Sequence, residues 1–298
     1  MIYITNYGYL HHKKRFRFVK AKSLLNKKMG AFYRGSEWQI QKKDIGCLGD
    51  KKVPIELYAE FMAWYLSEGS YSLREKGEGR DAVFIYQSEK KNFDNYEAIE
   101  HLLIKIGFKY YKGDDTFIIR NKSLAKQLSV YGKSDKKYVP VDIKNSPKEI
   151  IAIFLEIYNR GDGSNEKSFI NGWERKSRKR YYTVSKRMAD DLGELILKIG
   201  RRPFFYLRKR KGTIAKFPNG CCTRNHNLWQ INECYACHSR LARIKKKEIP
   251  YNDFSYCVEL EKNNTLWIRR NGKVVWCGNC RCAVSEIMAM PEYAEVVT

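Results

Sequence analysis

The sequence predicts an α+β fold in which one unit of helix, strands, helix and strands occurs twice. Two observations predict the duplication. The string LLIKIGF, residues 102–108, recurs as LILKIGR, residues 195–201, at an offset of 93. Upstream of each string an apolar run ends in an acid and a glycine, and those acids, Glu68 and Asp162, are 94 residues apart. Two separate landmarks therefore agree on the offset to within one residue, as expected of an internal repeat.

Each copy begins with a helix whose two ends are marked in the sequence. Pro54 and Pro147 suit the start of a helix, and Gly69 and Gly163 stop it. The β-rich stretches that follow are DAVFIYQS and FKYYKGDDTFIIRN in the first copy, and RYYTVSK and RPFFYLRKRKG in the second. A second helix separates the stretches, EAIEHLLIKIG in one copy and RMADDLGELILKIG in the other.

The length and composition are those of a globular chain with one large domain or two ordinary ones. Of its 298 residues 43% are hydrophobic and 14% are aromatic, which is enough for a packed core. No apolar run reaches the ~18 residues that span a bilayer, and the N-terminus lacks the pattern of a signal peptide. We therefore expect no membrane association, a cytoplasmic location and reduced thiols at the nine cysteines.

The net charge of +24 indicates a polyanionic partner. Between Arg175 and Lys211 there are fourteen basic and only three acidic residues, interleaved with aromatic residues. Basic and aromatic side chains on strands suit contact with phosphates and entry into a groove, so we expect nucleic acid. The residues expected to contact it are Arg175, Lys176, Arg178, Lys179, Arg180, Arg208, Lys209 and Arg210.

The acids that end the first helix of each copy are unfavourably placed for stability. A carboxylate at a helix C-terminus faces the negative end of the helix dipole, at a cost of ~0.3–1 kcal/mol. Small residues four apart, Ala59, Ala63 and Ser67, would let two such helices approach closely. Glu68 and Asp162 would then converge, and Mg²⁺ prefers such oxygen ligands. The alternative is two ordinary amphipathic helices with surface acids.

The strings FMAWYLSEG, residues 61–69, and LEIYNRGDG, residues 155–163, resemble the paired signatures of the LAGLIDADG homing endonucleases. The similarity extends over roughly residues 53–211. It implies a duplicated αββαββα monomer with the signature helices at the centre and two β-sheets forming a saddle on the major groove. The implied partner is double-stranded DNA with a long asymmetric target, and the implied metal is Mg²⁺, bound by Glu68 and Asp162.

The resemblance also assigns further polar residues to the site. Lys137 lies in KYVP, which matches a K-x-[IV]-P segment of the family, so it would help to activate water or stabilise charge on the phosphate. Gln87 and Lys186 match polar positions near the site more loosely. Ile157 departs from the pattern because the signature has a small residue there, which predicts less close packing of the second helix.

The C-terminal part has the features of a splicing element. The segment YCVELEKNNTLWIRRNGKVVWCGNC, residues 256–280, predicts two strands around an Asn271-Gly272 turn and ends in Asn279-Cys280. It resembles the C-terminal splicing block of inteins, which often carry LAGLIDADG insertions. The resemblance implies that Asn279 cyclises and cleaves the chain, and that Cys280 accepts an acyl group as the first residue of the host protein.

The N-terminal strings ITNYGYL and FRFVKAKSLL resemble the second N-terminal block of an intein, with Thr5 in its T-x-x-H motif. Gly8, Asn264 and Gly278 stand where the splicing blocks usually have histidine. An intein also begins with Cys or Ser, so the resemblance implies an intein (Hint) domain truncated before Met1.

These resemblances divide the chain into a nuclease enclosed by splicing segments and followed by host protein. The tail CRC, residues 280–282, resembles that of phage head-morphogenesis proteins, which would place the chain in a bacterial or phage-infected cell. The expected parts are a partial Hint segment at 1–50, the nuclease at 51–212 with repeats at about 53–132 and 147–212, a C-terminal Hint segment at 213–279 and the host remnant at 280–298.

Several alternatives remain open from sequence. The string CYACH, residues 234–238, fits a haem-attachment pattern, but that chemistry requires export. Zinc binding by Cys221, Cys222, Cys234 and Cys237 has an unfamiliar spacing, and ordinary thiols are the simpler interpretation. For the whole chain the rivals are a relic that binds DNA without cutting and a transcription regulator of the same duplicated fold.

Overall fold

The structure, a computed structural model, describes residues 2–5, 16–19, 21–26, 28, 30–33, 38, 40, 44–74, 80–170, 173–217, 220–235, 238–240, 245, 247–248, 250, 252, 265–270, 273–278 and 295–296. The chain divides into two compact units. The α/β unit comprises Glu37–Ile199 and Pro203–Glu233, and the β unit comprises Met1–Ser36, Gly200–Arg202 and Cys234–Thr298.

The described strands are, in chain order, β1 (Ile2–Thr5), β2 (Phe16–Val19), β3 (Ala31–Tyr33), β4 (Ile45–Leu48), β5 (Lys51–Pro54), β6 (Gly69–Ser72), β7 (Ala82–Tyr86), β8 (Tyr111–Gly113), β9 (Thr116–Ile119), β10 (Gly163–Ile170), β11 (Trp173–Thr183), β12 (Arg202–Lys209), β13 (Ile214–Phe217), β14 (Gly220–Thr223), β15 (Leu228–Cys234), β16 (His238–Arg240), β17 (Thr265–Arg270), β18 (Lys273–Gly278) and β19 (Glu295–Val296). The described α-helices are α1 (Ile55–Glu68), α2 (Phe93–Ile106), α3 (Lys122–Ser129), α4 (Val141–Lys144), α5 (Lys148–Asp162) and α6 (Lys186–Lys198).

The first helix of each repeat begins and ends where the sequence predicts. Pro54 and Pro147 directly precede α1 and α5, since proline has a suitable φ and no N–H to leave unpaired. Gly69 and Gly163 are extended and begin β6 and β10 without a loop. A Cβ at Gly69 would lie 2.6 Å from the Tyr65 carbonyl oxygen, and so abrupt a change from helix to strand requires glycine.

Each repeat builds one four-stranded sheet. β7, β8 and β9 in the first repeat and β11 and β12 in the second overlap the predicted β-rich stretches, whereas β6, β10 and β15 lie outside them. The sheet orders are β6-β7-β9-β8 and β10-β11-β15-β12. The αββαββα order is confirmed in the first repeat, where α3 follows β9. The second repeat has the same order as far as its fourth sheet strand, but the β13–β14 hairpin separates that strand, β15, from β12. The α/β unit therefore continues to residue 233, beyond the expected limit at 212.

The two signature helices pack together inside one hydrophobic core. They approach closely near their C-termini, where a Cβ at Gly161 would lie 2.3 Å from Ser67 Oγ. Ile157, the large residue in the second signature, is 8% exposed and belongs to the same core. No helix in the described part of the chain combines the length and the apolar character needed to cross a bilayer.

The β unit contains one antiparallel sheet of seven strands drawn from both ends of the chain. Within it Ile2 on β1 pairs with Cys277 on β18. The β17–β18 pair places Arg270 opposite Lys273, which confirms the hairpin predicted from Asn271-Gly272. Thr5 ends β1, but its side chain lies outside the described part of the structure, as do Asn279 and Cys280.

Candidate active site and nucleic-acid interface

Glu68 and Asp162 are the last residues of α1 and α5, and the packing of these helices brings them together. A Cβ at Gly161 would lie 3.3 Å from Glu68 Cγ, so Glu68 lies beside the last turn of α5. Burial and then the negative charge of Glu68 raise the pKa of Asp162 to about 7, against the opposing effect of Lys137. Burial also raises the pKa of Glu68. The pair is therefore a desolvated cluster of like charges rather than two surface acids.

Lys137 lies beside this pair and is only 8% exposed. Its Nζ donates hydrogen bonds to the carbonyl oxygens of Tyr65, Leu66 and Gly69, at 3.1, 3.0 and 2.7 Å. Burial lowers the pKa of the Lys137 ammonium to about 8, although both carboxylates favour its charged form. An ammonium has three donors, and here all three hold the C-terminal end of α1. Lys137 thus fixes the backbone that carries Glu68.

The segment that carries Lys137 is held by α6 of the second repeat. Ser185, which caps α6, donates from Oγ to the Lys137 carbonyl oxygen at 2.6 Å and accepts from the Met188 N–H. Asp191 accepts the Val139 N–H at 2.9 Å. Sequence reasoning did not assign these residues to the site. Ser185 could have been found as a helix cap, since serine is favoured immediately before a helix.

A second linkage missed from sequence ties the end of α5 to the first repeat. Arg160, two residues before Asp162, donates from Nε to Asn95 Oδ1 at 2.9 Å, and Asn95 Nδ2 donates to the Arg160 carbonyl oxygen at 3.0 Å. The Arg160 guanidinium also lies over the Trp64 ring of α1, 5.3 Å from its centroid. These contacts hold the last turn of α5 against α1 and α2, which limits the positions open to Asp162.

The donor chemistry of the pair fits a divalent cation. Carboxylate oxygens are the ligands that Mg²⁺ prefers, and a cation would offset the burial and the repulsion that raise the pKa of Asp162. The Lys137 ammonium cannot take the place of this cation between the carboxylates without giving up its hydrogen bonds to α1. In the described part of the chain no group of three or more His, Cys, Asp and Glu residues is placed to bind a metal. Glu68 and Asp162 would supply two carboxylates to the ion.

Gln87 and Lys186 are less closely connected to this cluster. Gln87 follows β7, where its backbone N–H donates to the Asp115 carbonyl oxygen. Its Nε2 is buried and has no hydrogen-bond partner among the described residues. Lys186, at the start of α6, forms an ion pair with Asp190 and lies 5.4 Å from the centroid of the Trp229 ring. A role for either in catalysis stays a prediction.

The second sheet carries a basic and polar outer face. Tyr181 on β11 is fully buried against the helices, so its neighbours Arg180 and Tyr182 point to the other side. The Arg208 guanidinium on β12 lies 5.0 Å from the centroid of the Tyr182 ring and donates to Gln230 Oε1 at 3.3 Å. Arginine, glutamine and tyrosine on one solvent-facing sheet could contact both phosphates and base edges.

The eight basic residues expected to bind nucleic acid are not all on this face. Arg178 and Arg180 share it, and Arg180 pairs with Glu166. Lys179 lies on the helix side of the sheet and pairs with Glu156 on α5, because successive strand residues face opposite ways. Lys209 and Arg210 are exposed at the end of β12. The side chains of Arg175 and Lys176 lie outside the described part of the structure.

The cysteines give no support to a zinc site. Cys221 and Cys222 are exposed neighbours on β14, where they point to opposite faces of the hairpin. Cys234 ends β15 as a free thiol, and Cys237 lies outside the described residues. Two thiols on opposite faces of a strand cannot readily bind one ion, and ordinary thiols stay the simpler interpretation of these residues.

Comparisons with known proteins give the following similarities. No protein-family model matches the chain. The DNA-directed RNA polymerase subunit beta C-terminal section of Stigeoclonium helveticum is 21% identical over an alignment of 266 residues that covers 78% of this chain and 24% of that protein. The chain thus spans about a quarter of the length of this relative.

Similar solved structures are LAGLIDADG proteins. The homing endonuclease I-DmoI in complex with DNA and Mn has 11% identity and a TM-score of 0.38, over 60% of this chain and 89% of that chain. The N-terminal LAGLIDADG domain of DUF199/WhiA has 7% identity and a TM-score of 0.32, over 65% of this chain and 83% of that chain. At TM-scores this low the likeness carries no argument, so the functional interpretation rests on the residues described above.

Proposed function

We propose that the chain is a site-specific, divalent-metal-dependent DNA endonuclease of LAGLIDADG type. The observation that carries the proposal is the convergence of Glu68 and Asp162 at the ends of two packed helices, with Lys137 buried beside them. Two like charges that are held close together and partly removed from water cost stability, and a cation bound between them would offset that cost. The long asymmetric target would be read by the two unlike sheets of one monomer.

The chain's own residues would divide the work between binding and positioning. The outer face of the second sheet, with Arg178, Arg180 and Arg208, would hold DNA phosphates. Mg²⁺ held by Glu68 and Asp162 would supply an activated water and neutralise charge on the phosphate oxygens. Lys137 would keep the end of α1, and with it Glu68, in place.

The first rival is a DNA-binding relic that no longer cuts. The intact carboxylate pair favours the nuclease, because a protein that only binds DNA gains nothing from two half-buried negative charges near phosphate. The second rival, a transcription regulator of the same fold, shares the basic face but needs neither the carboxylate pair nor a metal. A cleavage assay run beside a binding assay on the same duplex separates both rivals from the nuclease.

DNA affinity is expected to depend steeply on salt. The basic outer face would release about one counterion per phosphate that it neutralises, so log affinity should fall with log salt by about 0.9 for each contact. Titrations of labelled duplex DNA across a range of KCl concentrations, without Mg²⁺, measure the slope. A nearly flat dependence would show that the positive charge serves something other than DNA.

We also propose that the β unit is the remnant of an intein splicing domain, and that residues after Asn279 belong to a host protein. Two features support this. The splicing blocks recognised in the sequence lie in this unit, and strands from both ends of the chain pair within its sheet. This protein would act as a monomer in the cytoplasm of a bacterial or phage-infected cell.

The purified chain is expected to stay mostly intact, with slow cleavage after Asn279 at most. Gly278 and Asn264 lack the imidazoles that would protonate the leaving amine, and general acid–base help contributes about 10²–10⁴-fold. Mass spectrometry of the intact chain over several days measures the release of the peptide that starts at Cys280. Rapid release would contradict the interpretation of this domain as a weakened remnant.

A further inference from the structure

The second repeat carries an extension that the first repeat lacks. Residues 210–227, here named the arm, connect β12 to β15 and contain the β13–β14 hairpin, which forms its own two-stranded sheet. The corresponding strands of the first repeat, β8 and β9, are joined by a tight turn at Asp114 and Asp115. The hairpin strands have four residues each, so the arm extends about 13 Å from its base.

The base of the arm is fixed by hydrogen bonds. The Lys211 N–H donates to Asn227 Oδ1 at 2.9 Å, and the Gly212 N–H donates to the Arg224 carbonyl oxygen at 2.9 Å. The Arg224 N–H returns a hydrogen bond to the Thr213 carbonyl oxygen at 3.0 Å. The two strands of the arm are therefore hydrogen-bonded to each other from the base onward, so the arm is a defined hairpin and not a loose loop.

The strand register places the arm at the catalytic end of the second sheet. Near the end of β11, Tyr181 pairs with Gly163, the residue that follows Asp162. Two positions farther along β11, Thr183 pairs with Trp229 near the start of β15. At the base of the arm His226 Nδ1 lies 3.9 Å from a carboxylate oxygen of Asp135, two residues before Lys137. The arm thus begins at the same end of the sheet as Gly163 and close to the segment that carries Lys137, and not at the distal end of the sheet.

The charged residues in and around the arm are basic. Residues 195–232 contain nine Lys and Arg residues and no Asp or Glu. Arg210, Lys211 and residues 220–223 are exposed, and Arg224 is partly exposed. Arg210, Lys211 and Arg224 have no carboxylate partner among the described residues. Unpaired basic side chains on an exposed hairpin suit a polyanionic backbone better than a protein surface of mixed charge.

We propose that the arm is a phosphate clamp that binds the DNA backbone next to the cleaved bonds, on the side of the target held by the second repeat. This inference rests on the proposed function, since it places the arm relative to the bonds that Glu68 and Asp162 would cut. Because only one repeat has an arm, protection of the DNA near the cut is asymmetric: the second-repeat side is covered and the first-repeat side is left open.

The test removes the charge of the arm and preserves its backbone hydrogen bonds. The variant carries Arg210→Ala, Lys211→Ala and Arg224→Ala, and the probe is a duplex selected from a randomised DNA pool by the wild-type chain. The control variant carries Lys52→Ala, Lys109→Ala and Lys126→Ala, which removes the same charge from exposed positions outside both four-stranded sheets. Salt-dependent affinity and hydroxyl-radical footprints without Mg²⁺ are compared with the cut positions that the wild-type chain produces with Mg²⁺.

The arm variant should lose about 2 to 3 from the slope of log affinity against log salt, and the control should lose much less. Its footprint should lose protection beside the cut on one side only, while protection farther out on that side remains. An unchanged footprint beside the cut, or an equal loss of slope in the control, would overturn the clamp but leave the nuclease standing. Failure of the wild-type chain to bind any duplex would overturn both.

Discussion

Glu68→Gln and Asp162→Asn are each expected to abolish DNA cleavage and leave DNA binding nearly intact. Either change removes one of the two carboxylates that would hold Mg²⁺, and an amide oxygen without a charge is a much weaker ligand for a hard cation. Binding should not weaken, because the phosphate contacts come from the second sheet and the lost charge repels phosphate. Glu149→Gln in the first turn of α5 removes an exposed carboxylate at the other end of the same helix and serves as the control.

Stability provides a check that the loss of cleavage is not a loss of folding. The pKa of Asp162 is raised from 3.8 to about 7 in the folded protein. The protonated form therefore contributes stability at pH below 3.8, and that contribution is lost as the pH rises through 7. Asp162→Asn has no charge to bury, so at pH 8 its free energy of unfolding should exceed that of the wild type by on the order of 1–3 kcal/mol.

Cleavage, binding and urea unfolding of the same preparations give the result. Mn²⁺ or Mg²⁺ should raise the melting temperature of the wild type, since a ligand that binds only the folded state stabilises it. The increase should be absent in both carboxylate variants and present in Glu149→Gln. Cleavage at the wild-type rate by Glu68→Gln or Asp162→Asn would show that the pair is not the catalytic centre.

The features predicted correctly from sequence are those whose cause is local or repeated. Pro54 and Gly69 mark the two ends of α1 through backbone conformation alone, and the same marks recur at α5. The duplication then places both helices in one environment, so the convergence of Glu68 and Asp162 follows from symmetry. The Asn271-Gly272 turn is equally local, and the pairing of Arg270 with Lys273 agrees with it.

The features that sequence reasoning missed depend on contacts between distant parts of the chain. The pairing of Lys179 with Glu156 required the strand register, because a basic run alone does not show which residues face the helices. The limit of the second repeat was placed too early because β15 follows a hairpin that interrupts the repeat pattern. The hydrogen bond from Ser185 to the Lys137 carbonyl oxygen joins residues 48 positions apart, and neither residue type alone predicts it.

The expected role of Lys137 changes most once its contacts in the folded chain are known. From the motif, its ammonium would act on water or phosphate. In the folded chain its three donors bind carbonyl oxygens at the end of α1, so its first effect is on the position of Glu68. An ammonium used only in the reaction would gain nothing from three such bonds. The lowered pKa of Lys137 shows that burial opposes its charge, and the three hydrogen bonds offset that cost.

Lys137→Met is therefore expected to lower both the cleavage rate and the free energy of unfolding. Methionine has a similar shape and no donors, so it leaves three carbonyl oxygens without a partner and two carboxylates without a neighbouring positive charge. The expected loss of stability at pH 7 is about 2–4 kcal/mol. Lys136→Met, one residue earlier and 76% exposed, makes the same change at a surface position and should alter neither quantity. Urea unfolding and cleavage assays measure the two effects. If Lys137→Met lost cleavage but unfolded at the wild-type urea concentration, Lys137 would act in the reaction itself, and the end of α1 would be held without it.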